Sequence, residues 1–415
     1  MTDKEKQAAK LPELVLPAGD LEKLHTAINF GADAVYAGGR NYSLRAYAGN
    51  LGRDDLQAGV NWAHQKGKRV YITVNIFAHN QDLRDMPSYL EELEQIGVDG
   101  LIISDPGVIR MAHRYAPDIP ITISTQANVT NYESAAFYHE LGAKRIVAAR
   151  ELSLEEIRAI KERVGIEIEV FVHGAMCMSY SGRCLLSSFM TGRSANQGAC
   201  AHPCRYQYAL VEEKRPGEYF PFHEDERGSY ILNSRDLCLL EQIPRLAEAG
   251  VDAFKIEGRM KSPLYLATVA RVYREALDAY GEGTFADTRK IDKWLSQLTA
   301  VATRPFTTGF LDGHDPSIQD PANQKNQNRA EFCGVVISYD DERGWLEVEQ
   351  RANFGPGDPL WLLTPHSGSI PVPLEHLYNS DYEEIDRARH ARQRVFIPML
   401  QPVAPGSILY RLKGN

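Results

Sequence analysis

Short apolar runs rich in β-branched residues alternate with amphipathic stretches through the first two thirds of the chain. The eight runs occupy residues 14–17, 34–37, 70–74, 101–103, 121–123, 146–148, 168–172 and 253–256. Continuous apolar strands that alternate with helices are typical of a parallel sheet covered on both faces. The pattern therefore predicts an α/β fold, namely a (β/α)8 TIM-like barrel. A doubly wound open sheet is the alternative, although no GxGxxG motif follows the first run.

Polar residues stand directly after every one of the eight predicted strands. They are Asp20, Arg40, Asn75, Asp105, Gln126, Asn128, Arg150, Glu151, His173, Glu257 and Arg259. Each of them, taken singly, is as well explained by a helix cap or by a hydrogen bond within a loop as by a role in an active site. Barrel enzymes, however, build their active sites from the loops that follow the strands. Taken together, these residues predict an active face at the carboxyl end of the barrel.

The predicted organisation has four parts. Residues 1–12 are a polar N-terminus expected to be disordered, and residues 13–310 form the barrel, including two amphipathic helices after the eighth strand. A cysteine-rich insertion, residues 173–235, follows the seventh strand. A segment rich in Pro, Asn and Gln predicts a linker over 311–330, and residues 331–415 read as a small all-β domain, a β-barrel. Within it, residues 387–394 carry the densest positive charge, which indicates either a solvated edge or a nucleic-acid contact.

Composition places the chain among soluble globular proteins. Of its 415 residues, 43% are hydrophobic and 24% are charged. No leader pattern opens the sequence, and no stretch approaches the roughly 18 apolar residues of a membrane span, so a cytoplasmic location is expected. The net charge of -9 argues against indiscriminate nucleic-acid binding, but it leaves room for a local basic face.

Four of the six cysteines lie close together within the insertion. Cys177, Cys184, Cys200 and Cys204 have the spacing Cys-x6-Cys-x15-Cys-x3-Cys. Clustered cysteines in a reducing compartment are more often metal ligands or catalytic thiols than disulfides. The spacing leaves a [4Fe-4S] cluster, a structural zinc ion and unliganded or nucleophilic thiols all open. The two other cysteines, Cys238 and Cys333, are predicted to be small buried apolar residues.

The insertion and several barrel segments resemble a known family. The similar segments are EVFVHGAMCMSYSGRCLLSSF, LPAGDLEKLHTAINFGADAVYAG, STQANVTN, NSRDL and KIEGRMKSPLYLATVARVYREA. They resemble the collagenase-like peptidase family nearly from end to end of the barrel, and the resemblance continues into the β domain. Within that family the chain is most similar to members that hydroxylate RNA.

The resemblance implies a function and its cofactors. It implies a tRNA hydroxylase that forms 5-hydroxyuridine at the wobble position, with prephenate as co-substrate and a [4Fe-4S] cluster on Cys177, Cys184, Cys200 and Cys204. The family also implies two alternatives, an rRNA cytidine hydroxylase and a collagenase-like peptidase. The sequence contains neither a GxSxG elbow nor an HExxH helix, which disfavours proteolysis by those mechanisms.

Candidate site residues follow from the chemistry of these ligands. Guanidinium groups bind carboxylates in bidentate fashion, and Arg40, Arg45, Arg150 and Arg259 are therefore candidates for prephenate. His173 is a candidate acid or base, with a hydrogen-bonded role near the cysteine cluster as its alternative. Glu169 and Glu257 are further candidates for proton transfer. The remaining candidates for substrate binding are Asn75, Gln126 and Tyr180, the last by stacking on an unpaired base.

Overall fold

The computed structural model describes residues 11–39, 42, 50–176, 190, 210–211, 219–220, 224–225, 228–229, 235–313 and 328–413. Arg40, Arg45, Tyr180 and the four clustered cysteines therefore lie outside the described residues, as do residues 314–327 of the predicted linker.

Eight parallel strands close into a barrel, as the alternating pattern predicts. They are β1 (Glu13–Ala18), β2 (Ala34–Gly38), β3 (Arg69–Val74), β4 (Gly100–Ile103), β5 (Ile121–Ile123), β6 (Arg145–Val147), β7 (Glu167–Ala175) and β13 (Ala253–Ile256). Strand β13 pairs with both β1 and β7, which closes the sheet and excludes the doubly wound alternative. Each strand is buried almost throughout, because helices cover the outside and side chains fill the inside.

Nine helices are described, most of them on the outside of the barrel. They are α1 (Leu21–Asn29), α2 (Arg53–Gln65), α3 (Met86–Ile96), α4 (Pro106–Tyr115), α5 (Tyr132–Glu140), α6 (Leu154–Val164), α7 (Ile243–Glu248), α8 (Pro263–Gly281) and α9 (Thr288–Val301). The predicted capping box is present at α6, where Ser153 and Glu156 cap each other's backbone. Helix α7 begins at Ile243, several residues later than the apolar pattern indicates, because Leu237 and Cys238 belong to a strand and Pro244 occupies the first turn. No helix in the described part of the chain is long and apolar enough to cross a membrane.

Strand β7 continues beyond its predicted end at residue 172. Its last three residues, 173–175, pair antiparallel with strand β12 (Asp236–Cys238). Strand β12 in turn pairs with β14 (Phe306–Thr307), so the sheet extends past the barrel wall at this point. Between β7 and β12 the structure describes four two-residue strands that form two antiparallel pairs. They are β8 (Leu210–Val211) with β9 (Tyr219–Phe220), and β10 (Glu224–Asp225) with β11 (Gly228–Ser229).

The C-terminal domain is a single antiparallel sheet of six strands. They are β15 (Ala330–Asp340), β16 (Trp345–Gln350), β17 (Leu360–Thr364), β18 (Gly368–Val372), β19 (Arg394–Pro398) and β20 (Ile408–Leu412), in the order β18-β17-β20-β15-β16-β19. Its core includes Cys333, and Cys238 is buried in the core of the barrel, as predicted for both. This confirms a separate all-β domain after the barrel.

Helix α8 is more deeply buried than its amphipathic pattern indicates. Side chains on nearly all sides of it are inaccessible, including Tyr265 and Tyr273. The reason is that α8 packs on the barrel wall and also contacts α1, α9 and strand β20 of the C-terminal domain. An ion pair between Arg351 and Glu22, with 2.7 Å between Nη2 and Oε1, joins the C-terminal domain to the first turn of α1.

The arginine-rich run at 387–394 has its charges largely compensated within the domain. Arg387 pairs with Asp358 at 2.9 Å, Arg389 with Asp386 at 2.6 Å, and Arg394 with Glu347 at 3.0 Å. A paired and solvated edge is the simpler interpretation of this run, since these carboxylates neutralise the cations that a phosphate backbone would need.

Candidate active site at the carboxyl end of the barrel

The ends of the eight strands meet at one opening, here called the mouth. Two of its predicted polar residues are helix caps. Asp20 accepts a hydrogen bond from the backbone N–H of Lys23 at 2.8 Å, at the start of α1. Asp105 accepts bonds from the N–H groups of Gly107 and Val108 at the start of α4. These two carboxylates therefore stabilise helix N-termini, the simpler of the two roles open to them.

Arg150 follows β6 and is a buried cation at the mouth. Its guanidinium carbon is 3.9 Å from the centre of the Phe171 ring, and its Nη1 donates to the carbonyl of Ala175 at 3.0 Å. Its side chain is only 10% exposed, and its Nε is buried without a hydrogen-bond partner. Arg150 also borders a small cleft whose other walls are mostly apolar, including Leu152, Leu237 and Leu239, with Thr308 as a polar exception. A buried cation with an unused N–H is suited to an anion with an apolar body.

Glu257, which follows β13, pairs with this cation. Its Oε2 lies 3.4 Å from Nη2 of Arg150, longer than a typical charged hydrogen bond. The Glu257 backbone is fixed on both sides, because its N–H donates to the carbonyl of His173 and its carbonyl accepts from the Tyr265 hydroxyl. Gly174 allows the end of β7 to lie close to the Glu257 backbone. Its φ is +112°, and a Cβ there would stand 2.6 Å from the Glu257 carbonyl oxygen.

His173 faces away from the mouth. The pairing of β7 with β13 slips between Phe171 and His173, forming a bulge that turns His173 outward. The imidazole is 2% exposed and lies among the rings of Tyr265, Tyr273 and Phe306. Burial lowers the pKa of His173 to about 3, and the Lys261 ammonium acts in the same direction. Nδ1 of the neutral ring lies 3.4 Å from the Tyr273 hydroxyl, and both roles given for His173, proton transfer and hydrogen bonding near the cysteine cluster, stay predictions.

Glu169 lies inside the barrel, below the mouth. It forms ion pairs with Lys255 at 2.5 Å and with Arg145 at 3.1 Å. Burial alone would raise the pKa of Glu169, but these two cations hold it below its usual range. Arg145 also contacts Glu13 at 2.7 Å. These residues form an interior ion network, defined here as Glu13, Arg145, Glu169 and Lys255. Glu169 is thus paired with two cations inside the barrel. A proton-transfer role for it stays a prediction.

The remaining described candidates fall into two groups. Asn75, after β3, donates to Oγ of Ser124 at 3.5 Å, and that hydroxyl lies 3.5 Å from Oε1 of Gln126. Arg259, after β13, is 4% exposed and donates to Oδ1 of Asn50 at 2.7 Å. The structure thus brings Asn75 and Gln126 together through Ser124. It brings Arg150 and Glu257 together separately.

Comparison with known proteins places these strands and loops in a family. A profile of peptidase family U32 matches residues 19–320, and a profile of the peptidase family U32 C-terminal domain matches residues 328–409. The chain belongs to peptidase family U32.

Relatives in the U32 family match the chain nearly from end to end. The chain is 38% identical to tRNA hydroxylation protein P1 of Bacillus subtilis (strain 168), over 97% of this chain and 96% of the relative. It is 38% identical to tRNA hydroxylation protein P of Escherichia coli (strain K12), over 94% of each. It is also 33% identical to a protein named collagenase from Porphyromonas gingivalis (strain ATCC BAA-308 / W83), over 96% and 97%. Among solved structures, the U32 peptidase Mk0906 aligns with 18% identity over 62% of this chain and 97% of that one, with a TM-score of 0.41.

The sequence analysis did not predict the interior ion network of this U32 barrel, because it searched for an active face among the residues that follow the strands. Its signal is visible in the sequence, because charged residues interrupt otherwise apolar strands at positions that alternate toward the inside, as Glu167 and Glu169 do in β7. A second missed residue is Ser124, the hydroxyl that links Asn75 with Gln126. Within the described ranges no group of three or more His, Cys, Asp or Glu side chains is arranged to hold a metal ion.

Proposed function

We propose that this chain is a tRNA hydroxylase that forms 5-hydroxyuridine at the wobble position. The observation that carries the proposal is the similarity of nearly the whole chain to two relatives named tRNA hydroxylation proteins, at 38% identity each. The coarser part, hydroxylation of tRNA, rests directly on those names. The choice of uridine C5 rests on the resemblance of the sequence to RNA-hydroxylating members of the family.

We further propose that the reaction depends on prephenate and that Arg150 binds one of its carboxylates. Prephenate combines carboxylates with a mostly apolar ring, and the mouth offers a buried guanidinium beside apolar side chains. The Nε–H of Arg150 donates to no partner, and its Nη2 is 3.4 Å from Oε2 of Glu257, a long distance for an ion pair. Arg150 can therefore bind a second carboxylate without breaking a strong ion pair. Asn75, Ser124 and Gln126 supply hydrogen-bonding groups for the polar edge of a base.

Four thiolates at Cys177, Cys184, Cys200 and Cys204 are a donor set suited to a [4Fe-4S] cluster, which is the cofactor proposed here. Such a cluster supplies electron transfer or Lewis acidity when bound. We expect anaerobically purified protein to be brown and to contain about four iron atoms per chain. Stoichiometric zinc in a colourless protein would refute this part of the proposal.

The deciding experiment is nucleoside mass spectrometry on a strain that lacks the gene. Loss of 5-hydroxyuridine derivatives from tRNA, restored by the wild-type gene, is the expected result. The comparison is repeated in a host unable to make prephenate, where restoration should fail. Loss of hydroxycytidine from rRNA with unchanged tRNA would instead support the rRNA alternative.

A second candidate function, proteolysis, is favoured by the relative named collagenase. It is tested by incubating the purified protein with gelatin. Cleavage that survives replacement of all four clustered cysteines by Ser would support a peptidase. We expect no cleavage, because the sequence has neither the GxSxG nor the HExxH motif.

A further inference from the structure

Four aromatic side chains meet on the outside of the C-terminal domain and form a surface here called the aromatic patch, namely Trp345, Tyr378, Tyr382 and Phe396. The Trp345 ring stacks on Tyr378, with 4.5 Å between the ring centroids. The Tyr382 ring lies 5.0 Å from Phe396 and 5.9 Å from Trp345. Along β16 and β19 the neighbours of Trp345 and Phe396 are buried in the domain core, so these two rings face outward. Tyr382 is 47% exposed.

Tyr382 is held in a backbone conformation that is strained for a bulky side chain. Its φ is +62°, in the left-handed region. Its N–H donates to the carbonyl of Asn379 at 3.1 Å. The Asn379 side chain accepts from the N–H groups on either side, those of Asp381 and Glu383, at 2.9 Å each. Strained residues of this kind persist where the surroundings fix them, and they cluster at binding sites. The loop therefore presents the Tyr382 ring in a fixed position.

Carboxylates surround the aromatic patch. Residues 340–347 and 375–384 carry three of its four rings, and they contain eight acidic residues and one arginine. Asp341, Glu342 and Asp381 are exposed, and their carboxylates form no ion pair with any residue that the structure describes. These groups give the surroundings of the rings a negative potential, which attracts cations and repels phosphates.

The one arginine of these segments shows how the aromatic patch accommodates a cation. Cζ of Arg343 lies 4.6 Å from the centre of the Tyr382 ring, and its Nη1 is 3.4 Å from Oδ2 of Asp340. A guanidinium thus lies over a ring face and beside a carboxylate. The free carboxylates of Asp341, Glu342 and Asp381 offer the same combination to a cation from outside, because cations bind aromatic faces.

RNA is less well matched to this surface than a basic protein segment. Unpaired bases stack on aromatic rings, but their phosphates would lie against carboxylates here. The arginine-rich run at 387–394 reaches the other end of β16, where the N–H of Arg392 donates to the carbonyl of Gln350. The charge around the rings therefore favours a cationic partner.

We propose that the aromatic patch is a docking surface for a second protein, bound through a segment in which arginine or lysine alternates with apolar side chains. The cations of that segment lie on the ring faces and pair with the free carboxylates, while its apolar side chains cover the remaining ring surface. The proposal goes beyond hydroxylation of tRNA, since the aromatic patch belongs to the C-terminal domain and uses none of the residues at the mouth.

The binding test uses the full-length protein and a synthetic peptide that repeats Gly-Arg-Leu-Arg-Ser, followed by isothermal titration calorimetry. We expect one peptide to bind per chain, and Tyr382→Ser to weaken binding at least about tenfold. Trp361→Ser is the matched control, because Trp361 is an aromatic residue of the same sheet and is 36% exposed. Absence of binding, or an equal loss in Trp361→Ser, would overturn the proposal.

A charge variant tests the carboxylates without removing a ring. We expect Asp381→Lys to weaken peptide binding at least about fivefold, and the same peptide with Glu in place of Arg not to bind. Glu140→Lys, at the exposed end of helix α5, is the control and should leave the affinity unchanged. Equal binding of the Arg and Glu peptides would contradict the role given to the carboxylates.

A third measurement decides between protein and RNA as the occupant. The affinity of the full-length protein for unmodified tRNA is measured for the wild type and for Tyr382→Ser, in the absence of peptide. We expect the two affinities to agree within about twofold, because the aromatic patch does not contact tRNA. A tenfold weaker tRNA complex in Tyr382→Ser would assign the aromatic patch to RNA and overturn the proposal. Loss of hydroxylation has no bearing on this outcome, since only binding is measured.

Discussion

Arg150 combines a buried positive charge with planar hydrogen-bonding geometry. Lysine keeps the charge but cannot reach the Ala175 carbonyl and a carboxylate with the same planar fork. We expect Arg150→Lys to lower kcat/KM for tRNA hydroxylation by at least about tenfold, and Arg150→Met by about a hundredfold. The measurement is the proposed product, 5-hydroxyuridine, formed in tRNA by the purified protein. Arg245→Lys, in the exposed pair with Asp312, is the control, and a fully active Arg150→Lys enzyme would contradict the expected role.

His173 makes stability depend on pH in a predictable direction. Its pKa is about 3 in the folded chain and near 6.5 in an unfolded one, so between these values the unfolded chain binds the extra proton. The free energy of unfolding should therefore fall as pH drops below about 6.5. Between pH 7.5 and pH 5 the contribution of His173 is at most about 2 kcal/mol.

Urea unfolding of the wild type and of His173→Gln at pH 7.5 and pH 5 measures this contribution. We expect the variant to lose less stability on acidification than the wild type, whatever its stability at pH 7.5. His376→Gln is the control, since His376 is exposed and its pKa is raised by its hydrogen bond to Glu384. Identical pH dependence in wild type and His173→Gln would show that the imidazole is not buried as described.

At the scale of elements, the end of β7 is held against the loop after β13. Gly174→Ala introduces both an unfavourable φ and a clash with the Glu257 carbonyl. We expect a loss of about 2–3 kcal/mol in the free energy of unfolding. Gly165→Ala is the matched control, because Gly165 also has a positive φ, +72°, but has open space where the Cβ would stand. It should lose only about 1 kcal/mol, and equal losses in urea unfolding would exclude the clash.

The elements also show what the sequence could predict. Strands buried on both faces are mostly apolar, so all eight barrel strands were found from their β-branched runs, although charged residues such as Glu169 and Lys255 interrupt some of them. Strands β12 and β14 were missed, because two or three residues are too few to leave a periodic signal; β12 pairs with the end of β7, and β14 pairs with β12. The bulge at His173 was missed for a related reason. Its cause is the pairing with β13, which the sequence of β7 alone does not contain.

The candidate site was predicted to a similar extent. Arg150 and Glu257, both named as candidates because they follow barrel strands, lie within 3.4 Å of each other in the structure, and their roles stay predictions. The same reasoning could not separate them from Asp20 and Asp105, because a helix cap and a binding residue occupy the same position after a strand. It also could not show that Glu169 is bound by Lys255, since those residues are 86 positions apart in the chain.

At the scale of the whole molecule, the interior ion network joins four neighbouring strands of the barrel, β6, β7, β13 and β1, the first and last of which are far apart in the chain. Glu169→Gln leaves Lys255 and Arg145 without their shared carboxylate in a buried site. We expect a loss of about 3–5 kcal/mol in the free energy of unfolding, measured in urea. The double change Glu169→Met with Lys255→Met should cost less than the single change. Asp386→Asn, in an exposed pair, should have little effect, and a Glu169→Gln protein as stable as wild type would contradict the prediction.

The pairing of β7 with β12 also has a consequence for how the chain can change. Ala175 stands opposite Asp236, so the two points where the insertion leaves and rejoins the barrel are adjacent. Because its two ends are adjacent, the connecting segment can be lengthened, shortened or exchanged without altering the register of any barrel strand. Replacing residues 176–235 with an Asn-Gly turn should therefore yield a folded barrel with cooperative thermal unfolding that does not hydroxylate tRNA. In this sense the scaffold and the cysteine segment are separately evolvable modules.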